Sequence, residues 1–218
     1  PVDLRRRNLL PRGGEILSTL RPLDADMAEM MEHADRAMAD LGGGPAAGIA
    51  IAATDPGIMP IGGALVRVLV DGSIVVLSNS VDIGQGVRAV LREVAAKTLN
   101  QDPGSIRVAN PDTAAAPFDW GTGASRSTVI MGLAVEDAAR DAGDQILALA
   151  TSVFDGAPND IQLVPGGVAH GDEILSFQEL YHKAFGIDSG EVVGRAMITP
   201  ARSGSDFTKS PLFWETAV

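Results

Sequence analysis

With 218 residues, 45% of them hydrophobic, the chain is long enough for one large domain or two small ones built on a real core. A net charge of −11 argues against nucleic acid and anionic membrane surfaces as partners, and Arg5-Arg6-Arg7 is too short a basic run to reverse that. The absence of cysteine removes disulfides, thiolate metal sites, cluster ligands and a cysteine nucleophile.

No apolar run reaches the roughly 18 residues of a membrane span, and no signal-peptide pattern opens the chain. The expected compartment is the cytoplasm, with the periplasm left open. Pro1 at one end and the apolar run Phe213-Trp214-Glu215-Thr216-Ala217-Val218 at the other suggest a piece of something larger.

Residues 1–22 carry little pattern beyond a basic helical turn around Leu4 to Leu10 and the loop Pro11-Arg12-Gly13-Gly14. Met27, Met30, Met31, Ala34, Met38 and Leu41 then fall at helical spacing, with Asp26 and Glu29 resembling a capping box and Gly42 as the stop. The methionine stripe reads as core packing. After Gly42-Gly43-Gly44-Pro45, the run Ala47 to Ala53 suits a buried strand.

Leu65 to Val70 and Ile74 to Leu77 are β-branched runs joined by Asp71-Gly72-Ser73, which predicts an antiparallel hairpin. Directly afterwards come Asp82-Ile83-Gly84-Gln85-Gly86 and a helix whose Val87, Val90, Leu91, Val94 and Leu99 share a side. Ile106 to Val108 suits a short strand, and the loop Asn110 to Trp120 leads into Gly121-Thr122-Gly123-Ala124-Ser125-Arg126-Ser127-Thr128. A helix of about 20 residues, roughly 30 Å, follows, with Met131, Ala134, Val135, Ala138, Ala142, Ile146 and Leu149 along one stripe. Gly156 and Pro158 end it.

In the last third, Ile161 to Val164 and Gly167 to His170 flank Pro165-Gly166 as a hairpin. Ser176 and Glu179 form a capping box for a helix closed by Gly186, and Glu191 to Ile198 is a final strand. Strands interleaved with helices, one hairpin among them, predict an α+β fold: a mixed sheet with helices packed on one face.

The glycine-rich stretch at 121–128 has the chemistry of an anion cradle. Glycines take positive φ and let a ligand approach the main chain, a helix start offers unpaired N–H groups, and Ser125, Ser127 and Thr128 add hydroxyls. The plainer alternative is a loop that only caps its own helix. Gly84-Gln85-Gly86 makes a second junction of the same kind.

Other chemistries lack their parts. Gly121-Thr122-Gly123 has no third glycine of a dinucleotide fingerprint, and no phosphate-binding Gly-x-x-x-x-Gly-Lys-Ser/Thr occurs. Gly123-Ala124-Ser125-Arg126-Ser127 lacks the closing glycine of a nucleophile elbow. His33, His170 and His182 are dispersed, so no protein-ligated metal is expected. Asp112 and Asp119 read as turn caps, without a catalytic role.

Taken in order and spacing, Asp71-Gly72-Ser73, Ile83-Gly84-Gln85-Gly86, Asp112-Thr113, the stretch from Asp119-Trp120 through Thr128, and Gly132 resemble the molybdenum hydroxylases. This is the xanthine dehydrogenase and aldehyde oxidase family, with its bacterial carbon monoxide dehydrogenase-like large subunits. Pro1 to Leu10 resembles the segment that joins the family's two cofactor-binding halves. The resemblance covers residues 1 to about 150 well and 151–218 more loosely.

The resemblance implies residues 1–22 as a linker from an upstream half and residues 23–218 as part of a molybdopterin-binding domain of the xanthine dehydrogenase type. It implies molybdopterin, often the cytosine dinucleotide form in bacteria, with iron–sulfur clusters and FAD on other domains or subunits. Gly84, Gln85 and Gly86 would contact the pterin and phosphate. Ala124, Ser125, Arg126, Ser127 and Thr128 would hold the pterin or its phosphate through main-chain N–H groups and hydroxyls.

The implied reaction is hydroxylation of an aldehyde or N-heterocyclic carbon with water-derived oxygen, beside a glutamate base. That base belongs to a Gly-x-Gly-Glu motif, which does not occur before Val218. The partners implied are the rest of the large subunit, the iron–sulfur and flavin parts, and a small-molecule substrate. The chain alone is therefore expected to be inactive, with no catalytic residue of its own, and to retain cofactor poorly. Two other readings stand beside this one: a non-catalytic interaction or assembly domain of the same fold that binds another phosphate-bearing ligand or a partner subunit, and a freestanding small-molecule binder.

Overall fold

The computed structural model describes residues 2–15, 22–23, 25–42, 48–54, 61–123, 125–154, 156, 160–187, 189–199 and 213–217. In chain order the elements are α1 (Val2–Asn8), α2 (Met27–Asp40), β1 (Ala50–Thr54), β2 (Gly62–Leu69), β3 (Ile74–Leu77), α3 (Val87–Leu99), β4 (Ile106–Val108), α4 (Gly132–Phe154), β5 (Ile161–Val164), β6 (Gly167–His170), β7 (Glu173–Ser176), α5 (Phe177–Phe185), β8 (Glu191–Ile198) and β9 (Phe213–Ala217). They fall into two compact units, residues 1–58 with 204–218, and residues 59–203.

The larger unit is built on a four-stranded sheet of order β4-β3-β2-β8. β2 pairs antiparallel with β3 and β8, whereas β3 and β4 run parallel, so the sheet is mixed. The β2–β3 hairpin closes where sequence places it, because the Asp71 carboxylate accepts from Ser73 N at 2.9 Å and Ser73 Oγ at 2.6 Å. Those bonds, the hydroxyl's first, hold the Asp71 carboxyl below its ordinary range. A parallel neighbour cannot be reached by a tight turn, and α3 supplies the crossover from β3 to β4.

α4 covers β2 and β8. Ala64, Val66 and Val68 of β2 and Ala134, Val135, Ala138, Ala142 and Ile146 of α4 are fully buried in one core. The alanines let the helix close on the sheet. At Gly194 of β8 the approach is so near that a Cβ would overlap the Ala138 carbonyl and the Ala142 amide.

The remaining strands form a separate three-stranded meander, β5-β6-β7, rather than extending the main sheet. β7 has no sequence signature: of its four residues only Leu175 is buried, and Ile174 is exposed, too short a run for alternation to register. α5 starts with both bonds of its Ser176/Glu179 capping box and ends at Gly186 with φ 75°. Its buried Tyr181 donates its hydroxyl to Val68 O at 3.0 Å, pinning the helix to β2. Burial pushes that phenol well above its ordinary pKa.

In the smaller unit, α2 begins at Asp26, whose carboxylate accepts from Glu29 N at 3.0 Å. Met31, Ala34 and Ile49 form its core, with Val2, Leu9, Met38 and Ile51 packed against them. Arg6 of α1 donates to Asp35 of α2 at 2.9 Å. β1 pairs antiparallel with β9 from Ala50↔Ala217 to Thr54↔Phe213. Part of the predicted strand at Ala47 lies outside the described residues.

Candidate functional site

Both glycine-bearing loops lie in the larger unit. The first follows β3. Asp82 Oδ1 accepts from Gly84 N at 3.0 Å and Gly86 N at 3.2 Å, while Gln85 Oε1 accepts from Ile83 N at 2.7 Å and Gln85 Nε2 donates to Val81 O at 3.0 Å. The chain thus folds around its own side chains. Gly84 and Gly86 adopt φ of 106° and 74°, which a side chain would strain, and open space stands where their Cβ atoms would be. The Gly84 N–H, joined by that of Gly86 and by the charge of Arg88, holds the Asp82 carboxyl below its ordinary range against a smaller desolvation effect.

The second loop precedes α4. Asp112 caps the turn at 112–116, accepting from Ala114 N at 2.8 Å, as its sequence context predicts. Asp119 does more than cap. Its side chain and that of Arg126 are both fully buried and form a close ion pair. Arg126 also donates to Gly121 O at 2.9 Å and to Ile61 O, at the mouth of β2, at 2.7 Å. Asp119 accepts from Gly121 N at 3.2 Å and from Ser80 Oγ at 3.0 Å.

Those bonds join the two loops. Thr122 Oγ1 accepts from Val81 N at 3.1 Å and donates to Val81 O at 2.7 Å. Asn79 donates to the carbonyls of Ala116 and Pro117 at 3.1 and 2.8 Å and accepts from Asp112 N at 3.0 Å. Three consecutive residues after β3, Asn79-Ser80-Val81, therefore carry the strand end across to the 112–122 loop. Nothing in the spacing of these residues announces the link.

The helix starts with a π-helical turn, Ser127–Met131, before α4 proper. Such turns recur at functional sites. Ser125 takes φ 51°, an uncommon left-handed conformation for a residue with a side chain, and it is exposed together with Thr128; Ser127 is buried. Arg126 N donates to Gly123 O at 3.1 Å. Ala124 lies outside the described residues.

Of the eight residues expected to meet a cofactor, Gly84, Gln85, Gly86, Ser125 and Thr128 are at or near the surface of joined loops. The Arg126 side chain instead points into the protein interior. Gly84, Gly86 and Gly121, with positive φ and open space at their Cβ positions, let a ligand lie against the main chain, although their own N–H groups are engaged by Asp82 and Asp119. The donors beside them suited to a group bearing phosphate are the exposed hydroxyls of Ser125 and Thr128 at the helix start. Among the described residues, no group of three or more His, Asp or Glu side chains is arranged to hold a metal ion directly.

A family model described as a molybdopterin cofactor-binding domain matches residues 24–213. The chain belongs to that family. The molybdopterin-binding domain is 34% identical over 158 residues to a probable hypoxanthine oxidase of Escherichia coli strain K12, covering 70% of this chain and 16% of that protein. It is 30% identical over 159 residues to the 6-hydroxypseudooxynicotine dehydrogenase complex subunit gamma of Paenarthrobacter nicotinovorans, covering 72% of this chain and 20% of the relative. The resemblance to molybdenum hydroxylases read from the loop motifs therefore holds.

The fold is shared with solved structures at low identity. Quinoline 2-oxidoreductase from Pseudomonas putida 86 superposes with a TM-score of 0.71 at 16% identity, over 99% of this chain and 31% of that one. Aldehyde oxidoreductase from Desulfovibrio gigas gives 0.62 at 18% identity, over 99% of this chain and 23% of that one. The molybdopterin-binding domain thus spans a minor part of each protein it matches.

Proposed function

We propose that this chain is the cofactor-holding portion of a larger molybdenum-dependent oxidoreductase subunit, which hydroxylates an aldehyde or N-heterocyclic carbon with water-derived oxygen. The observation that carries the reading is the pair of Val81–Thr122 hydrogen bonds, which join two glycine-bearing helix starts. Family membership adds the identity of the ligand.

Gly84, Gln85 and Gly86 would hold one portion of the molybdopterin, and Ala124, Ser125, Arg126, Ser127 and Thr128 another. Bound there, the cofactor supplies two-electron redox chemistry at its metal. The chain's own residues bind and orient. Positive-φ glycines let the group lie against the main chain, helix-start N–H groups face negative charge, and the hydroxyls of Ser125 and Thr128 donate to phosphate oxygens. Arg126 takes part through its backbone, since its guanidinium is consumed by Asp119 and two carbonyls. None of these residues is assigned a catalytic role.

On this reading residues 1–22 link to the other half of the large subunit, and residues 23–218 belong to the binding domain. The binding domain would hold molybdopterin, often the cytosine dinucleotide form in bacteria, beside iron–sulfur and flavin domains or subunits that would take up its electrons, in an assembly expected in the cytoplasm with the periplasm left open. Among the described residues no helix is long and apolar enough to cross a membrane.

The test is Gln85→Ala combined with Ser125→Ala in the full-length protein, read as molybdenum and pterin per polypeptide. A fall in both is expected. Parental content and activity would sink the reading and favour an assembly role. The isolated chain is expected to purify without stoichiometric molybdenum.

A further inference from the structure

Arg126 is among the largest fully buried side chains of the described residues, and its Nε has no hydrogen-bond partner. A buried ion pair contributes little net stability relative to a well-packed apolar pair of similar size, because desolvation offsets most of the Coulomb attraction. Its placement is more informative than its energy. Asp119 and Arg126 sit where three segments meet: Ser80 of the first loop bonds Asp119, Gly121 of the second bonds both members, and Ile61 at the mouth of β2 accepts from Arg126.

The backbone is shaped to admit the pair. Gly62 bridges to Asp119, Gly63 N donates to Phe118 O at 2.8 Å, and a Cβ at Gly62 would press on Met131 Sδ and stand 3.4 Å from Arg126 Nη2. Carboxylate and guanidinium have directional bonds, whereas an apolar pair would fill the same space without fixing where Ser80, Gly121 and Ile61 stand relative to one another.

We propose that Asp119 and Arg126 are positioning residues for cofactor retention: their buried pair holds the 82–86 and 121–128 loops in mutual register, without either side chain touching the cofactor. This rests on the binding role proposed above for those loops, and it gives the inward-facing Arg126 side chain the role of support behind them.

The experiment uses the full-length protein, with thermal midpoint and molybdenum and pterin content measured side by side. Arg126→Met and Asp119→Asn each leave a buried group without its partner, and cofactor content is expected to fall about tenfold or more, as for outer-layer partners of metal sites generally. The double variant Asp119→Leu with Arg126→Met is expected to regain the parental midpoint but not the cofactor. Recovery of both together, or parental content in the single variants, would overturn the proposal.

Ser80→Ala gives an independent reading should the double variant remain unstable. It keeps the ion pair and removes only its bond to the first loop, so a midpoint lowered much less than in Arg126→Met, with about twofold to fivefold faster loss of molybdenum on dialysis, is expected. A parental loss rate would count against the register role. Gln85→Ala in the same series separates the two levels of inference. If it loses cofactor while the Asp119 and Arg126 variants do not, only the positioning role fails; if it too retains cofactor fully, the binding role of the loops fails with it.

Discussion

The two glycine-bearing loops are held by opposite means. At 82–86 the bonds to the Asp82 carboxylate and the Gln85 amide span two or four residues, and all are solvent-exposed. At 119–126 the supporting bonds reach to Ser80, Val81 and Ile61, up to 65 positions away, around a side-chain pair with no exposure. One loop is shaped by its own residues and would keep most of its geometry wherever the chain put it. The other takes its geometry from the fold, so damage to it propagates.

The sharpest way to break that contrast is Arg126→Met. Leaving Asp119 charged, buried and alone is expected to cost about 3–5 kcal/mol, read by urea unfolding. A loss near zero would mean that the second loop is as self-sufficient as the first. Gly86→Ala, which forces a side chain into φ 74°, is expected to cost about 1 kcal/mol and to leave the protein folded, because the space around that Cβ is open.

Thr122→Val keeps volume and removes both bonds to Val81. We expect a loss of about 0.5–1 kcal/mol, with faster amide exchange in both loops. Unchanged exchange at 82–86 would show that the two loops are not mechanically joined.

The smallest effect is pH. The Asp82 carboxyl is held below the ordinary 3.8, so the support it gives the first loop is complete above that value and is lost as pH falls through its lower folded value. The amide resonances of Gly84 and Gly86 should stay constant from about pH 7 to 4 and shift only below. A transition centred above the ordinary value would mean that these N–H groups do not bond Asp82.

What could be read before folding tracks the range of the interactions. The Ser176/Glu179 capping box, the Asp71-Gly72-Ser73 hairpin turn and the stripe from Met131, in the π-helical turn, to Ile146 of α4 are local or periodic, and all are present in the structure. The Asp82 turn is equally local, which is why Gly84-Gln85-Gly86 stood out. β7 escaped because one buried leucine in four residues makes no pattern. The role of Asp119 went beyond the turn cap its neighbours suggest, since nothing within a few residues of it marks Arg126 as its partner or Ser80 as its donor.

Sequence by itself determined most of the elements, β7 excepted, together with the two glycine-bearing junctions and the family, because caps, turns and apolar periodicity act within a few residues and the motifs keep their order. Only the tertiary structure decided that β4 runs parallel beside β3, that Val81 meets Thr122, and that Arg126 turns inward to Asp119. Each of those depends on how separate segments are brought into register across a shared core, and a single stretch of chain carries no record of which distant backbone group it will face.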